Sequence, residues 1–204
     1  MGRTMDENRC SNRIFLRGTP RGEPVWSHAA RSQDFYTLPL EVRRLSGASD
    51  TLNLTLRAPM LSALAGAERI EVEGELRSFN SRRGEWPRLV IAVFARSLAP
   101  AGGDEDDNVA ELRGTLCKAP RARRTPMGRE VCDLLLAVNR SYGRSDYLPC
   151  ICWGAAARES AAWDVGTRLF LRGRVQSRRY LKLTEEGSFE RVAFEVSASE
   201  IERL

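Results

Sequence analysis

The 204-residue chain has one histidine, His28. A Ser-His or Cys-His nucleophile and most metal enzymes call for an imidazole placed beside partner groups, so a single ring argues against those chemistries. Cysteines number five: Cys10, Cys117, Cys132, Cys150 and Cys152. Their odd count and spacing fit no zinc pattern. They read as small buried thiols in a reducing compartment. No apolar run approaches the roughly 18 residues of a membrane helix. The amino-terminal MGRTMDENRCSN has no apolar signal-peptide core, and it carries Asp6 where a myristoylation motif needs Ser or Thr. No paired-carboxylate constellation suggests a nuclease. These absences lead us to expect a cytoplasmic protein that is not an enzyme. No metal, cofactor, membrane or small-molecule substrate is expected. What remains is ample for folding: 42% of residues are apolar and 29% charged, enough for one large or two small domains.

The chain repeats itself. Leu16, Arg17, Gly18 and Thr19 of NRIFLRGTPRGEP recur as Leu112, Arg113, Gly114 and Thr115 of NVAELRGTLCKAP, a shift of 96. Pro24 recurs as Pro120. At the same shift Leu40, Val42, Arg44, Gly47 and Asp50 meet Leu136, Val138, Arg140, Gly143 and Asp146. RIEVEGELRS from Arg69 then overlies RLFLRGRVQS from Arg168, now shifted by 99. The acidic, Gly-rich segment 99–107 between the copies reads as a linker.

Each copy has the same plan, clearest in the second. A long strand is expected over about Val109–Pro120, and TPMG forms a turn with Pro126 at its first corner and Gly128 at positive φ. A second strand over about Arg129–Arg140 turns Leu134, Leu136 and Val138 inward. SDYLPCICWG makes the third strand, AAARESAAW a short helix, and strands over about Arg168–Tyr180 and Phe189–Ser199 complete the set. This order predicts an all-β protein: two tandem five-stranded OB barrels, each with a short helix between strands 3 and 4. The expected domains are residues 1–98 and 108–204. Gly18, Gly74, Gly114 and Gly173 fall inside strand patterns, where glycine marks a bulge or bend. Trp163 is expected in the core. Trp26 and Trp86 sit in the first copy; Trp86 is expected in an exposed loop beside Arg82, Arg83 and Arg88.

The third strand separates the copies in function. Its inward set is apolar in both: Leu52, Leu54 and Leu56 against Leu148, Cys150 and Cys152. Its outward set is Thr51, Asn53, Thr55 and Arg57 in the first copy, but Tyr147, Pro149, Ile151 and Trp153 in the second. Exposed rings on an OB barrel point to stacking on bases, which tolerates any sequence. Residues 108–204 hold 17 Lys and Arg against 12 Asp and Glu, whereas residues 1–107 hold 15 of each. The whole net charge of +5 therefore belongs to the aromatic copy. Arg121, Arg123, Arg124, Arg178, Arg179 and Lys182 are the candidate phosphate contacts, since a flexible polyanion needs cations beside its stacking platforms. The reading from a different class is an OB-fold protein-interaction or assembly module, a primosome-like accessory whose aromatic face is an oligomer interface.

The stretches NVAELRGTL, RRTPMGREVCDLLLAVNRSYGRSDYLPCICWG and GRVQSRRY make the second copy resemble the bacterial single-stranded DNA-binding protein family. The resemblance implies four base-stacking positions, which fall on Tyr142, Tyr147, Trp153 and Tyr180. In the first copy the first three correspond to Ser46, Thr51 and Arg57. The fourth falls near Ser81, with Phe79 close by. The first copy is therefore expected to be a degenerate barrel, a structural pseudo-subunit. The family usually has one barrel per chain in a tetramer, so a homodimer giving four barrels is expected here. SASEIERL closes the sequence without the family's acidic-tipped tail, which implies a specialised role in replication, recombination or repair.

Overall fold

The computed structural model describes residues 12–81, 88–140, 143–184 and 187–204; at 88, 182–184, 189 and 191 it describes the backbone. The first copy contains β1 (Asn12–Pro20), β2 (Val25–Ala30), β3 (Gln33–Arg43), β4 (Ser49–Arg57), a 3-10 segment (Ala58–Leu64), β5 (Ile70–Ser81) and β6 (Arg88–Pro100). The second contains β7 (Asp107–Leu116), β8 (Arg121–Arg124), β9 (Glu130–Asn139), β10 (Ser145–Trp153), α1 (Gly154–Ser160), β11 (Arg168–Thr184) and β12 (Gly187–Arg203).

Alternating apolar residues drive closure, because each strand has one face to bury. β1 pairs with both β3 and β5, and the ring continues through β4 and β6, with β4 and β6 parallel. The second ring runs β7, β9, β10, β12, β11 and back to β7, with β10 and β12 parallel. Each is a closed five-stranded barrel around leucine-rich cores that include Leu16, Leu54 and Leu76, or Leu112, Leu148 and Leu171. Closure depends on glycine. A Cβ on Gly18 would lie 2.2 Å from the Glu41 carbonyl oxygen, and one on Gly114 would lie 2.6 Å from that of Ala137. At those points the first strand swings onto the third element of its ring, and a side chain would hold the ring open. The β5–β6 and β11–β12 ladders slip register at Gly74 and Gly173, the bulges that let long strands curve.

Two expectations need adjusting. The strand expected over Val109–Pro120 ends at Leu116, and RARR returns as the separate strand β8 on the edge of β9. Pro120 has no N–H with which to extend the ladder. In the first copy the expected helix is a 3-10 segment with Pro59 in its first turn.

The two barrels share one sheet. β1 pairs antiparallel with β7, and Ile14 lies opposite Ala110, its own counterpart in the repeat. Asn12 faces Leu112 and Leu16 faces Asn108, so the pairs exchange under the 96-residue shift. A pseudo-twofold axis therefore passes between Ile14 and Ala110. Side chains obey it too. The Asn12 carboxamide donates to Leu76 O (2.7 Å) and accepts from Leu76 N–H (2.8 Å). Asn108 does the same with Val175 at 2.8 and 2.9 Å. Between the barrels, Ala99 and Pro100 end β6 and Asp107 opens β7. Asp106 accepts from Arg69 Nη2 (2.5 Å) and Arg43 N–H (2.6 Å), which fastens the acidic connection to the first barrel.

Candidate nucleic-acid interface

The outer wall of the second barrel is built from β10, β12 and β11. Register sets which residues lie opposite one another on it. Ile151 lies beside Ser197, Ser197 opposite Arg174, Glu195 opposite Gln176 and Arg191 opposite Tyr180. Tyr147 is 48% exposed and Tyr180 39% exposed. Trp153 is half-buried, and its indole N–H donates to Ser197 Oγ at 3.1 Å. These three rings share one solvent-facing surface. Ile151 shares the wall but is 2% exposed, covered by its neighbours. Tyr142 lies outside the described residues.

Between the rings lies a polar floor that the sequence reading missed. Glu195 is buried, accepts from the Gln176 carboxamide (3.0 Å), and sits 3.4 Å from Arg178 Nε. Arg178 in turn places its guanidinium 5.7 Å from the centre of the Tyr180 ring, a cation–π distance. Glu195 follows Phe194 in an ordinary-looking strand, and nothing in that pattern distinguishes it.

The other expected cations divide by how firmly they are held. Arg123 makes a two-pronged pair with Asp133 at 2.6 and 2.9 Å, and this hydrogen-bonded carboxylate pushes the Arg123 pKa further up. Arg124 lies 3.6 Å from Glu130, and Arg179 lies 3.5 Å from Glu190. Both are largely exposed. Such surface pairs contribute about 0–1 kcal/mol, so a phosphate can replace the carboxylate. Arg121 is exposed and makes no ion pair among the described residues. Lys182 lies on β11, with its side chain outside the described residues.

Comparison with known proteins was decisive for the family. Residues 107–204 match the model of the "Single-strand binding protein family". "Single-stranded DNA-binding protein B" of Bacillus subtilis is 35% identical over 80 residues, which span 36% of this chain and 71% of that protein. The chain belongs to the single-strand binding protein family. "Single-stranded DNA-binding protein 2" of Listeria innocua is 34% identical over 80 residues, 36% of this chain and 50% of that one. Among solved structures, the wild-type single-stranded DNA binding protein from Thermus aquaticus superposes with a TM-score of 0.77 at 24% identity, covering 96% of this chain and 94% of that one. A deletion mutant of the same protein gives 0.76 with 95% of its chain covered. At that identity the likeness speaks for the fold, and it extends over both barrels.

The family match begins at residue 107, and the first barrel's face differs accordingly. Thr51 and Asn53 are exposed where the second barrel has Tyr147 and Pro149. Rings are nevertheless present, at other positions. His28 stacks on Phe35 with centroids 4.9 Å apart, and Phe35 meets Phe94 at 6.0 Å. Arg96 and Arg77 lie 5.1 and 5.8 Å from the Phe94 centroid. The alternation Ile91, Val93, Ala95 inward would have shown Phe94 pointing out. Phe79 and Trp26 are exposed, and the Trp26 indole N–H donates to Asp34 at 3.2 Å. Trp86, Arg82 and Arg83 lie outside the described residues, as does the Arg88 side chain. Trp163 packs in the core at 8% exposure.

Two buried carboxylates join the barrels. Asp50 accepts from Arg44 Nε (2.6 Å) and Nη2 (2.5 Å), and from the N–H and hydroxyl of Ser177 in the other barrel, both at 2.7 Å. Its counterpart Asp146 accepts from Arg140 through Nε (2.6 Å) and Nη2, from Arg77 Nη1 (3.0 Å) and from Ser78 N–H (2.6 Å). Burial raises the Asp50 pKa, but Arg44 and Ser177 outweigh it and hold the carboxyl below its ordinary value of 3.8. A carboxyl whose folded pKa is depressed stabilises the fold above its unfolded pKa, and that contribution fades as pH falls through the folded value. Acid titration followed by near-UV circular dichroism should therefore leave this inter-barrel link intact until below about pH 4. Earlier loss confined to the Asp50 side would contradict it. Cys10 lies outside the described residues; Cys117 is half-buried, and Cys132, Cys150 and Cys152 are buried, apart from these clasps. Burial pushes Cys152 up to about 11 and Cys150 well above the ordinary thiol value, so both stay protonated as small apolar groups.

Proposed function

We propose that the protein binds single-stranded DNA without regard to sequence, through the outer wall of its second barrel. Bases stack on Tyr142, Tyr147, Trp153 and Tyr180. Phosphates are met by Arg121, Arg124, Arg179 and Lys182, with Arg123 and Arg178 reaching them on leaving Asp133 and Glu195. The observation that carries this reading is the common solvent-facing surface of Tyr147, Trp153 and Tyr180, all three at least partly exposed. The relatives' names point the same way. The first barrel serves as a structural pseudo-subunit, and the chain assembles as a homodimer with four barrels. Its setting is DNA replication, recombination or repair.

Titration with an oligo-dT strand at two salt concentrations tests this. Tryptophan fluorescence should be quenched. The logarithm of affinity should fall with the logarithm of salt at a slope of roughly −3 to −4, for four to six phosphates at about 0.7 each. Absence of both effects, with a normal circular dichroism spectrum, would overturn the reading.

A further inference from the structure

The two carboxylate clasps obey the pseudo-twofold axis in outline and break it in one atom. Under the repeat, Arg44 and Asp50 correspond to Arg140 and Asp146, and Ser78 corresponds to Ser177. In both clasps an Arg–Asp pair from one barrel grips a serine N–H from the other, and the arginine also reaches the serine carbonyl: Arg44 to Ser177 O at 3.2 Å, Arg140 to Ser78 O at 3.3 Å. The hydroxyls part company. Ser177 Oγ donates to Asp50 at 2.7 Å. At Asp146 the equivalent oxygen, Oδ1, accepts Ser78 N–H and Arg140 Nη2, and the further donor is Arg77 Nη1 on the other oxygen, Oδ2. The counterpart of Arg77 in the second barrel is Gln176, turned away to Glu195. The Ser78 hydroxyl turns instead to Tyr147 and accepts its backbone N–H at 2.7 Å.

Tyr147 is a stacking platform, and its counterpart in the first copy is Thr51. The departure from symmetry thus falls on the strand that carries rings. Asp146 is wholly buried and Ser78 is 8% exposed, so this contact is shielded while the ring itself faces solvent. The Asp50 clasp grips Ser177, immediately before Arg178 and three residues before Tyr180. A platform held before its ligand arrives loses less freedom on binding, and such holding is done by hydrogen bonds behind the contacting residue.

We propose that the first barrel positions the stacking platforms of the second, with Ser78 and Arg77 as positioning residues for Tyr147. This rests on the single-stranded DNA reading and gives the pseudo-subunit a task within it. Ser78 touches no DNA; it acts through Tyr147. Arg77 acts by giving Asp146 a further donor at Oδ2, so that the carboxylate draws less on the Ser78 hydroxyl.

The test is a double-mutant cycle on the full chain, read as oligo-dT affinity at two salt concentrations. Ser78→Ala should weaken binding about threefold to tenfold, the range of one hydrogen bond, with the salt slope unchanged because no cation is lost. Arg77→Gln restores the residue type of the other copy and should produce a similar loss by turning the Ser78 hydroxyl to Asp146. Neither change should weaken Tyr147→Ala further, since the platform it positions is then absent. Ser78→Thr, which keeps the hydroxyl, should recover most of the affinity. A simple packing role would lower the melting temperature and add to Tyr147→Ala. Parent-like affinity in both variants, or additivity with Tyr147→Ala, overturns the proposal. Should Ser78→Ala fail to fold, the Arg77→Gln arm decides by the same criteria. If the parent does not bind oligo-dT, or Trp153→Ala binds as the parent does, the underlying reading fails instead.

Discussion

Asp146→Ala is expected to remove about 3–5 kcal/mol of folding stability, the typical loss when a buried ion pair is left with one partner. The carboxylate is fully buried and accepts from two guanidiniums and a backbone N–H. Its removal strands Arg140, leaves Arg77 with Glu75 as its sole anion among the described residues, and leaves Ser78 N–H without an acceptor. Urea unfolding of the parent and the variant measures the effect. Asp50→Ala should have the smaller effect of the two, because a single guanidinium, Arg44, is stranded and the Ser177 hydroxyl can rotate. A loss below about 1 kcal/mol at Asp146 would mean that water and side-chain movement replace the carboxylate without difficulty.

Trp153→Ala should weaken oligo-dT binding by about 1–3 kcal/mol, or roughly 5- to 150-fold in Kd. The ring is half-buried and aimed by its bond to Ser197, so the substitution removes both stacking area and a fixed orientation. The salt slope should hold, since no charge changes. This separates the effect from loss of an arginine: Arg121→Ala should lower the slope by about 0.7. Affinity equal to the parent, together with a changed sedimentation profile, would favour the assembly reading in which the aromatic wall meets protein.

The barrels were legible in the sequence because the chain states its plan twice. Agreement at Leu16–Thr19 and Leu112–Thr115, and again from Leu40 to Asp50, set strand phase without any tertiary information. The contrast between Thr51 and Tyr147 then pointed to a wall. Local pattern could not show what occupies the floor of that wall, since Glu195, Gln176 and Arg178 meet only through the β11–β12 register. The RARR strand was hidden for a similar reason: four residues on a sheet edge carry no alternation to read. Across the barrels the clasps join residues 62 to 133 positions apart, far beyond any local signal. One trace was available. An arginine six residues before an aspartate recurs in both copies, at Arg44 and Asp50 and at Arg140 and Asp146, and a repeated charge pair on a barrel rim suggests a fixed partner.

The β1–β7 seam, with Ile14 against Ala110, has one more consequence. Two identical subunits meeting about a dyad must accept every substitution in both places at once, so a ring useful on one is imposed on the other. Covalent fusion lifts that constraint while keeping the seam. Each half can then specialise, one holding its neighbour in shape and the other meeting the ligand, and the small asymmetry at Ser78 is the kind of change that only a fused pair can carry.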